Sequence, residues 1–161
     1  MEQVLVANAM GYQGYKVANF LNNQGYYVIG VDRYFQEEKN RANKFFKLDL
    51  KYNDSVKLLG EFCKPTVLIF CAEKTQDDYR SVIMLNNIIN NINSFGYIIL
   101  SLDYVPREVN NLEDLVRYNL ATILGFSQTD NMIITENDNL LKSIKAFLLS
   151  RGGGVNGQKN N

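Results

Sequence analysis

The stretch that most constrains the fold is the first one, where an apolar strand, a small-residue turn and an amphipathic helix follow one another. An apolar run from Val4 to Ala7 predicts a strand buried in a parallel sheet. The run ends at a turn in which Gly11 and Gly14 lie three residues apart. Apolar residues at helical spacing follow this turn, namely Val17, Ala18, Phe20 and Leu21. This order of elements predicts an anion site, because the N–H groups and the positive dipole end of the first helical turn face a bound phosphate.

The residues of this turn are the first candidates for contact with a nucleotide. Gly11 lets a pyrophosphate approach the backbone, and Gly14 lets the helix pack closely on the strand. Asn8, Met10 and Tyr12 complete the turn, so we predict that they also face the ligand. If the side chains of Met10 and Tyr12 close over the turn, however, they exclude the pyrophosphate.

Further strands and helices alternate along the rest of the chain. Strands are predicted over residues 26–31, 45–48, 66–72, 97–101 and 132–135. Helices are predicted over residues 54–62, 78–93, 110–126 and 139–150, and residues 35–43 form a short helix or a loop. We predict an α/β, Rossmann-like, doubly wound three-layer domain over residues 1–150, with six parallel strands in the order 3-2-1-4-5-6. Residues 151–161 are rich in glycine and asparagine and are predicted to be a disordered tail, or a linker to a further domain.

The second predicted strand ends at Asp32 and Arg33, about twenty residues beyond the glycine turn. An acidic residue at this spacing can hydrogen-bond the adenosine ribose of a nucleotide. The alternative is that Asp32 ends the strand or caps the next helix. Arg33 can stack on adenine or accept a 2′-phosphate, so the residues leave the choice between NAD and NADP open.

Composition narrows the classes of partner. Lys plus Arg and Asp plus Glu balance at 17 each, so no charge excess favours nucleic acid or an anionic membrane. No apolar run approaches the roughly 20 residues that span a bilayer, and the first strand leaves no room for a signal peptide. The chain has no histidine, which excludes histidine-dependent triads and histidine-ligated metals, and we predict no metal cofactor. Cys63 and Cys71 lack CxxC spacing and are predicted to be buried thiols of a cytoplasmic protein.

Taken in order, these segments resemble the extended short-chain dehydrogenase/reductase family, especially its NAD-dependent sugar-nucleotide epimerases and dehydratases. The resemblance spans residues 3–149 and is strongest at the glycine turn and at residues 31–33, 47–50 and 65–72. It implies an NAD or NADP cofactor whose adenine is reached by Asp49, with Leu50 beside it. It also implies that Cys71 and Ala72 line the cofactor, and it suggests a role in polysaccharide biosynthesis.

The sequence departs from the family pattern at three places. Asn8 replaces the first glycine of the family turn; asparagine tolerates left-handed backbone, but its side chain is expected to enter the space of the pyrophosphate. The family also has a Tyr-x-x-x-Lys pair on the helix after strand five, whereas Tyr118 is followed four residues later by Thr122. Finally, family enzymes carry a separate sugar-binding lobe, and little sequence remains here to form one.

Two functions are consistent with this pattern. The first is a non-catalytic Rossmann domain that binds a nucleotide or dinucleotide weakly, or has lost it, and acts as a sensor, regulator or assembly subunit. The second is a small NAD(P)-dependent oxidoreductase or sugar-nucleotide epimerase with a rebuilt site. Its candidate catalytic residues are Tyr118 as acid or base, Ser101 as hydrogen-bond donor, and Asp103 or Glu73 as helpers. The alternative for Tyr118 is a surface position on an amphipathic helix.

The helices predicted at 78–93 and 110–126 both have broad apolar faces. In enzymes of the family that the chain resembles, the corresponding helices pair across a dimer as a four-helix bundle. We therefore predict a homodimer, unless both faces simply cover the sheet.

Overall fold

A computed structural model of the chain describes residues 2–72, 80–102, 108–112, 114–115, 118–119 and 131–151. Its strands are β1 (Gln3–Ala7), β2 (Tyr27–Asp32), β3 (Lys44–Lys47), β4 (Val67–Cys71), β5 (Tyr97–Leu102) and β6 (Met132–Glu136). Its longer helices are α1 (Tyr12–Asn23), α2 (Asn53–Phe62), α3 (Arg80–Asn91) and α4 (Leu140–Ser150). Two short 3-10 helices cover Glu37–Lys39 and Asn137–Asn139.

Within the described residues, six strands form one parallel sheet in the order β3-β2-β1-β4-β5-β6. This confirms the predicted fold class and strand order. Between β1 and β4 the direction of strand succession reverses, and in open α/β sheets ligands bind above the carboxyl ends of the strands at such a point. The turn after β1 lies at that point.

Side chains of β1 alternate between two hydrophobic cores, one on each face of the sheet. Leu5 packs in the core formed with α2 and α3, whereas Val4 and Val6 pack in the core formed with α1 and α4. All five residues of β4 are buried, as expected for a central strand covered on both faces. β1 is therefore fixed between β2 and β4, and its carboxyl end carries the β1–α1 turn.

Some predicted boundaries are wrong by a residue or two. The predicted strand 45–48 lies at Lys44–Lys47, because the ladder to β2 begins at the pair Ile29 and Lys44. The loop or helix predicted at 35–43 contains the 3-10 helix Glu37–Lys39.

The second half of the chain is described in part. Of the helix predicted at 110–126, residues 112, 114, 115, 118 and 119 are helical, and most of the other positions lie outside the described residues. Arg151, assigned to the disordered tail, is instead held at the amino edge of the sheet, where its guanidinium donates to Glu2 Oε1 at 2.5 Å.

No helix in the described part of the chain combines the length and apolar character needed to cross a membrane.

We expect Gly14→Ala to destabilise the fold by about 3 kcal/mol, because overpacking against backbone cannot be relieved by a rotamer change. A Cβ at Gly14 would lie 2.0 Å from the carbonyl oxygen of Asn8 and 2.8 Å from Cα of Ala9. Gly96→Ala is the control: its nearest atom would lie at 3.9 Å, and its cost should stay near roughly 0.5 kcal/mol. Urea unfolding of the two variants measures the difference. Equal stabilities would show that α1 does not rest on the turn as described.

Candidate functional site

The β1–α1 turn is shaped by Asn8, whose backbone is left-handed with φ of 60°. Its side-chain Nδ2 donates to the carbonyl oxygen of Cys71 at 2.7 Å, and the residue is only 3% exposed. The expectation that this side chain enters the pyrophosphate space is therefore wrong. The β1–β4 ladder ends at the pair Ala7 and Phe70, so the Cys71 carbonyl just beyond it accepts from the Asn8 amide.

The first turn of α1 carries backbone donors without a side-chain cap. Gly11 is the N-cap, with φ of −68° and ψ of 165°, and no acidic residue lies in the first turn. The first hydrogen bond of the helix runs from the N–H of Tyr15 to the Gly11 carbonyl at 2.9 Å. The N–H groups of Tyr12, Gln13 and Gly14 come earlier in the chain and therefore have no acceptor within the helix. These groups and the helix dipole make the N-terminus of α1 attractive to an anion.

Asp32 ties this turn to the loop after β2. Its Oδ2 accepts the N–H of Met10 at 3.0 Å, and its Oδ1 accepts the N–H of Tyr34 at 3.2 Å. A carboxylate has about four lone-pair sites, so these two bonds leave it able to accept further hydroxyl groups. Asp32 is thus placed beside the turn. Arg33 is exposed, and its guanidinium carbon lies 4.7 Å from the centre of the Tyr34 ring.

A cleft of about 360 Å³ opens against the turn. It is lined by Met10, Gly11, Tyr12, Tyr15, Glu38 and Lys39. Tyr12 is 72% exposed, with Lys16 Nζ lying 3.9 Å from the centre of its ring. Among the described residues, Met10 and Tyr12 thus form walls of a cleft beside the turn. The volume of this cleft is large enough for part of a nucleotide.

Asp49 follows β3 at the same edge of the sheet and forms an ion pair with Arg80, the first described residue of α3. Arg80 Nη2 donates to Asp49 Oδ1 at 2.6 Å, and the N–H of Lys51 donates to the same oxygen at 2.9 Å. Partial burial acts to raise the pKa of Asp49, but the Arg80 hydrogen bond, the Lys51 N–H and the charges of Arg80 and Arg33 outweigh it. The net effect lowers the pKa of this carboxyl, so Asp49 is an acceptor only.

Three other predicted cofactor residues lie at this edge of the sheet. Leu50 is buried, and its carbonyl accepts Asn87 Nδ2 at 3.0 Å. Ala72 is half-buried, and its N–H donates to the carbonyl of Ser101 at 3.0 Å. Cys71 is buried, and burial raises the pKa of its thiol to about 12, so it is no nucleophile at neutral pH.

Of the candidate catalytic residues, the structure describes Ser101 and Tyr118. Ser101 is fully buried, and its hydroxyl donates to Asn137 Oδ1. Tyr118 is helical and 53% exposed. Asp103 and Glu73 lie outside the described residues.

Sequence reasoning missed the cleft residues Tyr15, Glu38 and Lys39 and the ion-pair partner Arg80. Tyr15 follows Tyr12 at helical spacing, which is a usable signal for a shared face. Arg80 also has a usable signal in the sequence. A cation in the first turn of an apolar helix interacts unfavourably with the helix dipole, which indicates that an anion lies nearby. Among the described residues, no three side chains of histidine, cysteine, aspartate or glutamate lie close enough to hold a metal ion.

Known proteins share part of the sequence pattern and the fold of this chain. A family model described as the NAD dependent epimerase/dehydratase family matches residues 4–99. No curated protein sequence matches the chain.

Several solved structures share the fold. The UDP-glucose 4-epimerase of Brucella ovis in complex with NAD gives a TM-score of 0.70 at 14% identity, covering 84% of this chain and 51% of that one. The enzyme WbmH of Bordetella bronchiseptica in complex with NAD+ gives 0.67 at 16%, covering 84% and 55%. The UDP-glucose 4-epimerase of Thermotoga maritima with UDP-glucose gives 0.65 at 17%, covering 77% and 50%. The chain thus spans about half the length of these structures.

We expect Asn8→Asp to cost about 2–3 kcal/mol of stability, because a carboxylate cannot donate to the Cys71 carbonyl and both groups are then left as buried acceptors. Asn8→Gly is the matched variant: it loses one hydrogen bond but relieves the left-handed backbone, so its stability should change by no more than about 1 kcal/mol. Urea unfolding at neutral pH checks both. An Asn8→Asp protein as stable as the parent would contradict the inward orientation of the amide.

Proposed function

Because this chain belongs to the NAD dependent epimerase/dehydratase family, we propose that it binds NAD with the pyrophosphate on the β1–α1 turn. The observation that carries this proposal is the cleft of about 360 Å³ against the N-terminus of α1. In this arrangement the N–H groups of the first helical turn hold the phosphates, and Gly11 allows their close approach. Structures of similar fold contain NAD, which supports the same cofactor here.

The other predicted contacts with the cofactor lie along the carboxyl edge of the sheet. Asp32 accepts the ribose hydroxyls, and Asp49 with Leu50 meets the adenine. Cys71 and Ala72 border the cofactor at the end of β4. We favour NAD over NADP because a 2′-phosphate would lie against the Asp32 carboxylate, whose two oxygens are already fixed by backbone donors. Arg33 is exposed and can stack on the base.

We further propose that the chain is a non-catalytic binding domain, acting as a sensor, regulator or assembly subunit. Support comes from Tyr118, which is more than half exposed and has Thr122 where a lysine would be expected. Support also comes from Ser101, whose hydroxyl is buried and engaged by Asn137. A rebuilt active site would have to rely on Asp103 or Glu73. The extent of the domain over residues 1–150, a cytoplasmic location and a role in polysaccharide biosynthesis belong to the same proposal.

We expect NAD to bind with measurable heat in isothermal titration calorimetry, and NADP to bind more weakly. Lys39→Glu reverses a charge on the wall of the cleft and should weaken NAD binding by roughly 3- to 10-fold at low salt. Lys142→Glu makes the same charge change at an exposed position on α4 and is the control. The absence of heat with NAD, NADH, NADP and UDP-glucose would contradict nucleotide binding. Turnover of UDP-glucose in the presence of NAD would contradict the non-catalytic role.

We also propose a homodimer that forms through α3 and the helix predicted at 110–126. Ile83 is 40% exposed on α3, whereas Val82 and Ile89 are partly buried against the core. We expect light scattering at high concentration to give twice the chain mass of 18.4 kDa. Ile83→Glu should yield the monomer, and Leu149→Glu, at an exposed position on α4, should leave the dimer intact. A monomeric mass for the parent protein would exclude the dimer.

A further inference from the structure

Strand β3 forms the outer edge of the sheet on the side of β2. Among the described residues, β3 pairs with β2 and has no strand on its other side, which we call the β3 edge. Because the backbone groups of successive strand residues point alternately to the two sides, half of those of β3 point to this edge. Such a row of N–H and carbonyl groups is a template on which a further strand can pair.

Aromatic side chains flank the β3 edge on both faces of the sheet. On the face covered by α2 and α3, the rings of Phe46 and Phe62 pack with their centres 6.5 Å apart. On the other face, the rings of Phe45 and Phe35 pack with their centres 4.8 Å apart. Phe62 is 62% exposed and Phe35 is 43% exposed. Apolar surface open to solvent therefore accompanies the edge on each face.

Helix α2 extends this apolar surface. Its residue Gly60 faces α3, since a Cβ there would lie 3.1 Å from the carbonyl oxygen of Asn91. Leu58 and Phe62 lie one turn apart on the opposite side of α2, and both are exposed. Contiguous exposed apolar residues of this kind mark a surface for interaction with another molecule.

The β3 edge is also positively charged. Lys44 and Lys47 stand exposed at the two ends of β3, and the strand carries no acidic residue. Burial raises the pKa of the Cys63 thiol, and the charges of Lys44 and Lys64 act against this rise. The two ammonium groups therefore lie close to the carboxyl end of α2. An anionic partner is favoured at this surface.

The residue order of β3, Lys-Phe-Phe-Lys over residues 44–47, decides between two kinds of added strand. If β3 of a second copy paired residue for residue, lysine would stand opposite lysine in either strand direction, and like charges directly opposite are destabilising. A strand with a carboxylate at each end of an apolar pair instead places an opposite charge against each lysine. Because the order is palindromic, this match holds for parallel and antiparallel pairing.

We propose that the β3 edge is a docking surface for an extended segment of another protein, with an acidic residue on each side of a short apolar core. The segment pairs with β3 as an additional strand. Main-chain hydrogen bonds supply affinity in this mode of recognition, and side-chain contacts supply selectivity. The contacts proposed for the nucleotide lie at the carboxyl ends of the strands, so the two surfaces are distinct.

The test is an amide NMR titration of the labelled protein with the blocked peptide Ser-Glu-Val-Val-Glu-Ser. The amide signals of β3 and of Phe62 should shift and saturate, whereas the peptide Ser-Lys-Val-Val-Lys-Ser should not bind. The double variant Lys44→Glu/Lys47→Glu should bind the acidic peptide about tenfold more weakly at low salt and should bind the lysine peptide instead. Lys142→Glu/Lys145→Glu makes the same charge change on α4 and should keep the preference of the parent.

Two further measurements separate strand addition from a purely electrostatic contact. Phe62→Ala removes an exposed ring and should weaken the acidic peptide by roughly 3- to 10-fold. The acidic peptide with both valines N-methylated lacks backbone donors and should not bind. Circular dichroism of each variant checks that the fold is retained.

Several results would overturn the proposal. These are failure of the acidic peptide to bind the parent protein, equal binding of both peptides, binding of the N-methylated peptide, or an unchanged preference in Lys44→Glu/Lys47→Glu. Slowed hydrogen exchange of the β3 amides that grows with protein concentration, without peptide, would assign the edge to a second copy and would also overturn it.

Discussion

The structure of the site depends on one close contact, that between helix α1 and the carbonyl oxygen of Asn8. Gly14 permits this contact, since any side chain there would collide with the turn backbone. The left-handed backbone of Asn8 turns the chain so that its carbonyl faces α1, while its amide is drawn into the sheet. As a result the N-terminus of α1 lies directly above the point where the strand order reverses. The anion-attracting end of the helix is thereby fixed at the carboxyl edge of the sheet.

Around this contact, polar side chains join loops that are distant in sequence. Asp32 links the β1–α1 turn to the loop after β2, and Asn8 links the same turn to the end of β4. Arg80 links α3 to the loop after β3. Each of these bonds fixes backbone at the carboxyl edge, where loops would otherwise be free to move. The edge is therefore a preorganised surface, and preorganisation lowers the entropic cost of holding a ligand.

Sequence reasoning works for this protein wherever the physics is local. Apolar runs and helical spacing gave the strands and the helices, and the alternation of the two gave the strand order. Sequence reasoning fails where the hydrogen-bond partner of a side chain lies far along the chain. The Asn8 amide could point to solvent or to a carbonyl 63 residues later, and periodicity says nothing about that choice. The Asp49–Arg80 pair and the seclusion of the Ser101 hydroxyl depend on packing in the same way.

The central claim is that the N–H groups at the start of α1 hold the phosphates of a dinucleotide. An amide NMR titration of isotope-labelled protein with NAD tests it most directly. The account predicts that the signals of Tyr12, Gln13 and Gly14 shift and saturate together, while that of Arg151 at the opposite edge of the sheet stays in place. Saturable binding of NAD that leaves those three amides unmoved would contradict it.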